Sequence, residues 1–119
     1  MSYDAYASLN SLEEVKFIAG TEQTFEYSYY DSNGAASALT GLTCKLALCP
    51  YGNPDVISII KTGVVQTDPA NKFIVTLTTD DTKSLSGKYI QQPIVMISAT
   101  EEVRPAQGVV TIIPRIRNS

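Results

Sequence analysis

The residues best suited to chemistry in this chain are three pairs of adjacent carboxylates. They are Glu13-Glu14, Asp80-Asp81 and Glu101-Glu102. Neighbouring residues on a strand point to opposite faces, so neither glutamate pair is a preset two-carboxylate catalytic site. Asp80-Asp81 with Thr79 and Thr82 offers oxygen ligands for calcium, but it lacks the alternating acidic pattern of a calcium-binding loop. A short turn around residues 80–84, capped by Asp80 or Thr79, is the better interpretation.

The two cysteines are the remaining candidate nucleophiles. The chain contains no histidine, so Cys44 lacks the usual activating base and is better interpreted as a small core residue. Cys44 and Cys49 are five positions apart and would point to opposite faces of one strand, which predicts free thiols and a reducing compartment. The sequence has no nucleophile elbow and no glycine-rich phosphate loop. We therefore predict no catalytic residue, no cofactor and no metal site.

Composition sets the size of the molecule and limits its partners. The chain has 119 residues, 44% of them apolar, which suits one domain with a real core. The net charge of −3 gives no support for a nucleic-acid or membrane partner, because both favour a clustered positive surface. The N-terminus has neither the basic start nor the apolar run of a signal peptide. We expect the chain to be made in the cytoplasm and not exported by the general route.

Most of the segments that must position the candidate residues are predicted to be β-strands. Residues 23–30 (QTFEYSYY) alternate with period two, as do residues 42–48. Residues 56–60, 73–77 and 89–97 are apolar and rich in β-branched residues, and each of these runs is predicted to be a strand. Pro93 inside the last of these runs indicates an edge strand or a bulge. The pattern predicts an all-β sandwich of about seven to eight antiparallel strands. We divide the chain into an arm at 1–12, flexible or exchanged with a partner, a sandwich at 13–114 and a polar tail at 115–119.

A corner motif within residues 77–89 specifies the kind of sandwich. The sequence LTTDDTKSLSGKY joins two strand-like runs, and Leu85, Gly87 and Tyr89 begin the second run. This resembles the corner of an immunoglobulin-like sandwich, where a tyrosine hydroxyl bonds to upstream backbone. On this interpretation Tyr89→Phe lowers the stability by about 1–3 kcal/mol. We predict that these three residues are structural.

Two tyrosines are candidates for an exposed interface. The chain has seven tyrosines and no tryptophan. Tyr30 falls opposite the predicted core face of its strand, and Tyr51 lies in a loop rich in proline and glycine. Exposed tyrosines are common at protein and glycan interfaces, although each one alone is more often a half-buried rim residue.

The order of these motifs resembles the immunoglobulin-like domains of tailed-phage virion proteins, in particular the N-terminal domain of baseplate upper proteins and related tail and head accessory modules. The similar segments are 17–21 (FIAGT), 31–34 (DSNG), 39–41 (LTG), the 77–89 corner and 108–112 (GVVTI). The resemblance covers about residues 13–114 and implies no catalytic residue. It implies a module that docks to other phage structural proteins.

The sequence therefore leaves two hypotheses of function. The first is a non-enzymatic structural or assembly module of a bacteriophage virion, in the tail, baseplate or capsid, made in the bacterial cytoplasm and working as a homo-oligomer or symmetric assembly. The alternative is a small carbohydrate-binding or host-surface adhesion module that uses Tyr30 and Tyr51. The absence of tryptophan counts against the alternative.

Overall fold

Eleven strands and one short helix make up the part of the chain that the structure describes. The computed structural model describes residues 2–6, 10–12, 14–31, 33–53, 55–68, 70–104 and 106–116, with backbone alone at 2–6, 10 and 11. The elements are β1 (Ser2–Tyr6), β2 (Asn10–Ser11), β3 (Val15–Ile18), β4 (Gln23–Tyr30), β5 (Thr43–Pro50), β6 (Ile59–Thr62), β7 (Val64–Val65), β8 (Lys72–Leu77), α1 (Thr79–Thr82), β9 (Gly87–Met96), β10 (Glu102–Val103) and β11 (Ala106–Ile113).

The strands form two sheets with the core between them. The smaller sheet has the order β1-β4-β8-β7, and the larger has the order β2-β11-β9-β5-β6, with β3 paired to β11 and β10 paired to β9. At one edge the chain passes from the large sheet to the small one between β6 and β7, at Gly63. A Cβ there would lie 2.7 Å from the ring of Phe73, so a larger residue would not fit without displacing the core.

The all-β prediction is confirmed, although two details differ. The described residues contain eleven strands, because several pairings are only two residues long and leave no periodic signal in the sequence. Three pairings are parallel: β1 with β4, β2 with β11, and β3 with β11. The period of two is the same in parallel and antiparallel strands, so the sequence pattern does not distinguish them.

The core is built from the inward faces of both sheets. Its fully buried large side chains are Phe25 and Tyr27 on β4, Leu46 and Leu48 on β5, Phe73, Val75 and Leu77 on β8, Val95 on β9, and Val110 and Ile112 on β11. The rings of Tyr27 and Phe73 stack with centroids 5.2 Å apart. Phe17 meets Phe25 edge-on at 6.4 Å, which joins β3 of the large sheet to the small sheet. Such ring pairs add about 0.5–1.5 kcal/mol each beyond the area they bury.

Pro93 lies in a central strand rather than at an edge. β9 is flanked by β5 on one side and by β10 and β11 on the other. Val95 pairs with Val103, whereas Gln91 pairs with Gly108, so the second side carries one more residue than β9 does. This break in register is the bulge that the sequence offered as its other interpretation, and it tolerates a residue with no N–H to donate.

The two ends of the chain extend the sheets. β1 and β2 both fall within the arm assigned to 1–12, of which residues 1 and 7–9 lie outside the described residues. Of the polar tail at 115–119, Arg115 and Ile116 are described and residues 117–119 are not. Arg115 covers the turn after β3, where a Cβ on Gly20 would come within 2.6 Å of its Nη1 atom.

Candidate docking surface

The corner between β8 and β9 is held by α1. Thr82 is fully buried, and its Oγ1 accepts the N–H of Gly20 at 2.9 Å, which ties the turn between β3 and β4 to the corner. The N-cap of α1 is Thr78, where the sequence had favoured Asp80 or Thr79. The cap differs from the predicted one because the carboxylate of Asp81 accepts the N–H of Thr78 at 2.7 Å, which begins the helix after Thr78.

Asp81 also joins the corner to the edge of the large sheet. Its carboxylate lies 3.0 Å from Nζ of Lys61, which points from β6 toward the corner. The Thr78 backbone bond, followed by the Lys61 bond, lowers the pKa of Asp81 below its ordinary value. An inward charge on an edge strand also discourages pairing with a foreign strand. Asp81 therefore has a structural role.

The three predicted corner residues lie at the start of β9. Tyr89 is buried against the core and pairs with Val110 and Pro50, while Gly87 has a φ of 100°. Leu85 is half-buried and packs against the core. Among the described residues, the Tyr89 hydroxyl has no hydrogen-bond partner, so the backbone bond expected of a tyrosine corner is not found there. The hydrogen bonds of this corner are made by Thr82 and Asp81.

A polar pair crosses the core near the middle of the sandwich. The Tyr27 hydroxyl donates to Oε1 of Gln91 at 2.6 Å, which links β4 of the small sheet to β9 of the large sheet. Gln91 is fully buried, and its Nε2 atom has no hydrogen-bond partner among the residues that the structure describes. No local sequence pattern indicates this pair, because it depends on contact between residues 64 positions apart.

Tyr30 and Tyr51 do not form one surface. Tyr30 ends β4 at the end of the sandwich remote from α1, and it is half-buried. Tyr51 follows β5 at the α1 end, is 59% exposed, and lies under Nζ of Lys88 at 5.8 Å. A glycan platform that uses both rings is therefore not assembled within one copy of the chain.

The other candidate chemical groups are dispersed. Both cysteines are free; Cys44 is buried, and burial raises its pKa to about 11, which disfavours the reactive thiolate. Glu14 pairs with Lys16 and Glu102 with Arg104, while Glu13 lies outside the described residues. Within the described ranges, no three His, Cys, Asp or Glu side chains converge on a metal site, and no helix is long and apolar enough to span a membrane.

The outer face of the large sheet carries an apolar groove of about 440 Å³. Its floor lies on β5 and β9, where Cys49 pairs with Ile90 and Ala47 with Gln92, followed by the almost fully buried Ile94. One wall is made by Ile57 and Ile60, which are 60% and 49% exposed, and by Asp55. The opposite wall is made by Arg104 and Gln107.

Hydrogen bonding fixes the Arg104 wall. Nη1 of Arg104 donates to Oε1 of Gln92 at 2.6 Å, and Nη2 lies 2.9 Å from Oε1 of Glu102. The guanidinium is therefore held between Gln92 and Glu102. The sequence had assigned Val56 and Ile57 to a strand, but both lie in the loop before β6, where Ile57 forms part of the groove wall.

With this geometry defined, the chain can be compared with known proteins. Neither a protein-family model nor a curated protein matches the sequence. Among solved structures, the chain is similar to the N-terminal domain of phage TP901-1 ORF48, with a TM-score of 0.61. The likeness covers 97% of this chain and 100% of that domain at 8% identity.

The chain has the fold of a phage protein domain. At 8% identity the likeness concerns backbone and topology, and it transfers no individual residue of the groove or the corner. Because the two chains match over nearly their whole lengths, the sandwich together with its N-terminal strands is the unit they share.

Proposed function

We propose that this protein is a non-enzymatic structural module of a bacteriophage virion that acts by docking to other phage structural proteins. The observation that carries the proposal is the match to the N-terminal domain of phage TP901-1 ORF48 over almost the full length of both chains. The match supports a structural role in a phage, and the tail or baseplate follows from the motif resemblance described above. The site of action is the virion, as a homo-oligomer or as part of a symmetric assembly.

The surface chemistry supports docking over catalysis. The groove on the large sheet is lined mainly by apolar side chains with a few fixed polar groups, as in a protein-binding surface. The buried thiol of Cys44 and the ion-paired carboxylates are already engaged in packing and pairing. Docking by surface complementarity needs only the apolar groove and its fixed polar groups, and it requires no reacting group.

The strand order also supports an immunoglobulin-like assignment. The order β4-β8-β7 corresponds to strands B, E and D of such a sandwich, and β11-β9-β5 corresponds to G, F and C. The parallel pairing of β1 with β4 departs from that plan. We infer that an immunoglobulin-like centre is extended here by an N-terminal strand.

Deletion of the gene from a phage that carries it tests the proposal. Particles made without the protein should lack a tail or capsid substructure in electron micrographs, and the gene supplied in trans should restore it. A variant with Val64→Ser, an exposed position on the small sheet, serves as a folded control for complementation. Complete and infectious particles from the deletion would overturn the proposed role.

A further inference from the structure

The charges around the groove suggest what occupies it. On the outward positions of β5 and β9, Lys88 lies at one end of the apolar floor and Lys45, opposite Ile94, lies at the other. Among the described residues, neither lysine has a carboxylate within ion-pair distance. The two positions are six residues apart along β9, so the lysines flank a strip about 20 Å long that contains Ile90 and Gln92.

These lysines contrast with the rest of the molecule. The whole chain has a net charge of −3, yet the outward positions of β5 and β9 carry lysines and no carboxylate. Arg104 adds positive charge to one wall, balanced by Glu102, and Asp55 is the one carboxylate among the described residues that line the groove. The surface is therefore complementary to an apolar partner with negative charge at both ends.

Strand pairing restricts the form of that partner. β5 is paired on both sides by β6 and β9, and β9 is paired by β5 and β11, so the floor has no open edge for an added strand. An incoming segment must satisfy its own backbone hydrogen bonds, as a helix does. The strands that bear the walls are three strand spacings apart, about 14 Å, which accommodates a helix about 10–12 Å wide.

We infer that the groove on the large sheet binds an amphipathic helix of an acidic partner protein. The helix would present an apolar stripe to Ile57, Ile60 and Ile90, with carboxylates near Lys45 and Lys88. A length of about 13 residues spans the two lysines at 1.5 Å per residue. This inference rests on the proposed docking function and specifies the class of partner.

Synthetic peptides provide the test. The probe is a helix of about 15 residues with leucine at helical spacing on one face and glutamate at both ends. The matched controls carry lysine at both ends, or the same residues in scrambled order. Fluorescence anisotropy measures affinity for the full chain, and the rate of thiol labelling at Cys49 measures occupation of the floor. Cys44, which is buried, serves as the internal reference.

We expect the glutamate-ended helix to bind, to slow labelling of Cys49, and to dissociate as salt is raised. Lys45→Glu with Lys88→Glu should weaken binding by about tenfold and should make the lysine-ended helix the better ligand. Ile57→Ser with Ile60→Ser should also weaken binding, whereas Asp55→Asn should strengthen it. Lys72→Glu and Val64→Ser, both on the small sheet, are the matched controls and should leave the affinity unchanged.

Equal affinity for the glutamate-ended, lysine-ended and scrambled peptides would overturn the inference. So would unchanged labelling of Cys49 in the presence of saturating peptide, or no binding at all. Circular dichroism of each variant establishes that the sandwich is intact. The result is independent of the gene deletion, because a chain that is required in particles yet ignores these peptides would retain the docking function and lose only this surface.

Discussion

The buried bond between Tyr27 and Gln91 is a polar contact across an otherwise apolar core. At the scale of single residues, Oε1 of Gln91 accepts the Tyr27 bond, and Nε2 has no partner within the described part of the chain. Tyr27→Phe should lower the free energy of unfolding by about 1–3 kcal/mol, because the buried amide then loses that bond as well. Adding Gln91→Met should recover most of the loss, since both partners are then apolar.

Urea denaturation of the four proteins in this double-mutant cycle measures the coupling. A strongly non-additive pair is expected. Simple addition of the two single effects would show that the bond contributes nothing, and would contradict the geometry of the pair.

Asp81 makes the stability depend on pH at the acid end. Its pKa is lowered in the folded state, so its contribution is fully present above the unfolded value of about 4 and is lost as the pH falls through the folded value. Asp81→Asn should therefore reduce stability at neutral pH and flatten the acid limb of a plot of unfolding free energy against pH.

Asp80→Asn is the matched control, because Asp80 is highly exposed and pairs with Lys83 on the surface. It should leave the acid limb close to that of the unmodified protein. Equal flattening by both substitutions would show that general surface charge, and not the Asp81 bonds, causes the dependence.

At the scale of elements, two interpretations of the corner between β8 and β9 differ in which side chain makes its stabilising hydrogen bond. The sequence favoured Tyr89 as its hydrogen-bonding residue, whereas the structure assigns the bond to Thr82. Thr82→Val should lower the stability by about 1–3 kcal/mol, because the N–H of Gly20 loses its acceptor. Tyr89→Phe should cost much less, since the ring remains packed.

Thermal unfolding of the two variants, followed by circular dichroism, distinguishes these accounts. A larger loss for Tyr89→Phe than for Thr82→Val would restore the tyrosine corner. Thr76→Val, at an exposed position on β8, controls for the change of side chain itself.

The elements also show how much of the secondary structure the sequence pattern predicts. Residues 23–30 were predicted with their observed bounds, because a half-buried strand shows its period of two within one segment. The strand predicted at 56–60 begins three residues later, at Ile59, since Val56 and Ile57 are apolar but lie in the loop that borders the groove. Apolar residues that line a surface groove look the same in the sequence as apolar residues of a core.

The corner bond and the groove could not be predicted, because both depend on register between distant segments. Thr82 accepts from a residue 62 positions away, and the groove floor requires the pairing of β5 with β9. The available signals were local: a cap predicted at Asp80 or Thr79, and two cysteines predicted on opposite faces of one strand. They indicated a turn and two free thiols without showing what either would contact.

At the scale of the whole molecule, the proposed function depends on the fold that this chain shares with a phage domain. The sandwich shares its fold with a phage domain over nearly its full length, and its large sheet carries an apolar groove with a lysine beyond each end. On the proposed function, the protein acts through many copies held in a symmetric particle, where weak contacts add by avidity. The central claim is therefore that the protein is a component of the virion.

The most direct test is quantitative mass spectrometry of purified particles from a phage that carries the gene, using isotope-labelled peptides of this chain as standards. The account predicts that the protein remains with the particles through density-gradient purification and high salt, in a copy number that is a whole multiple of the symmetry of the tail or capsid. A protein confined to the soluble fraction of the lysate, with particles free of it, would contradict the account.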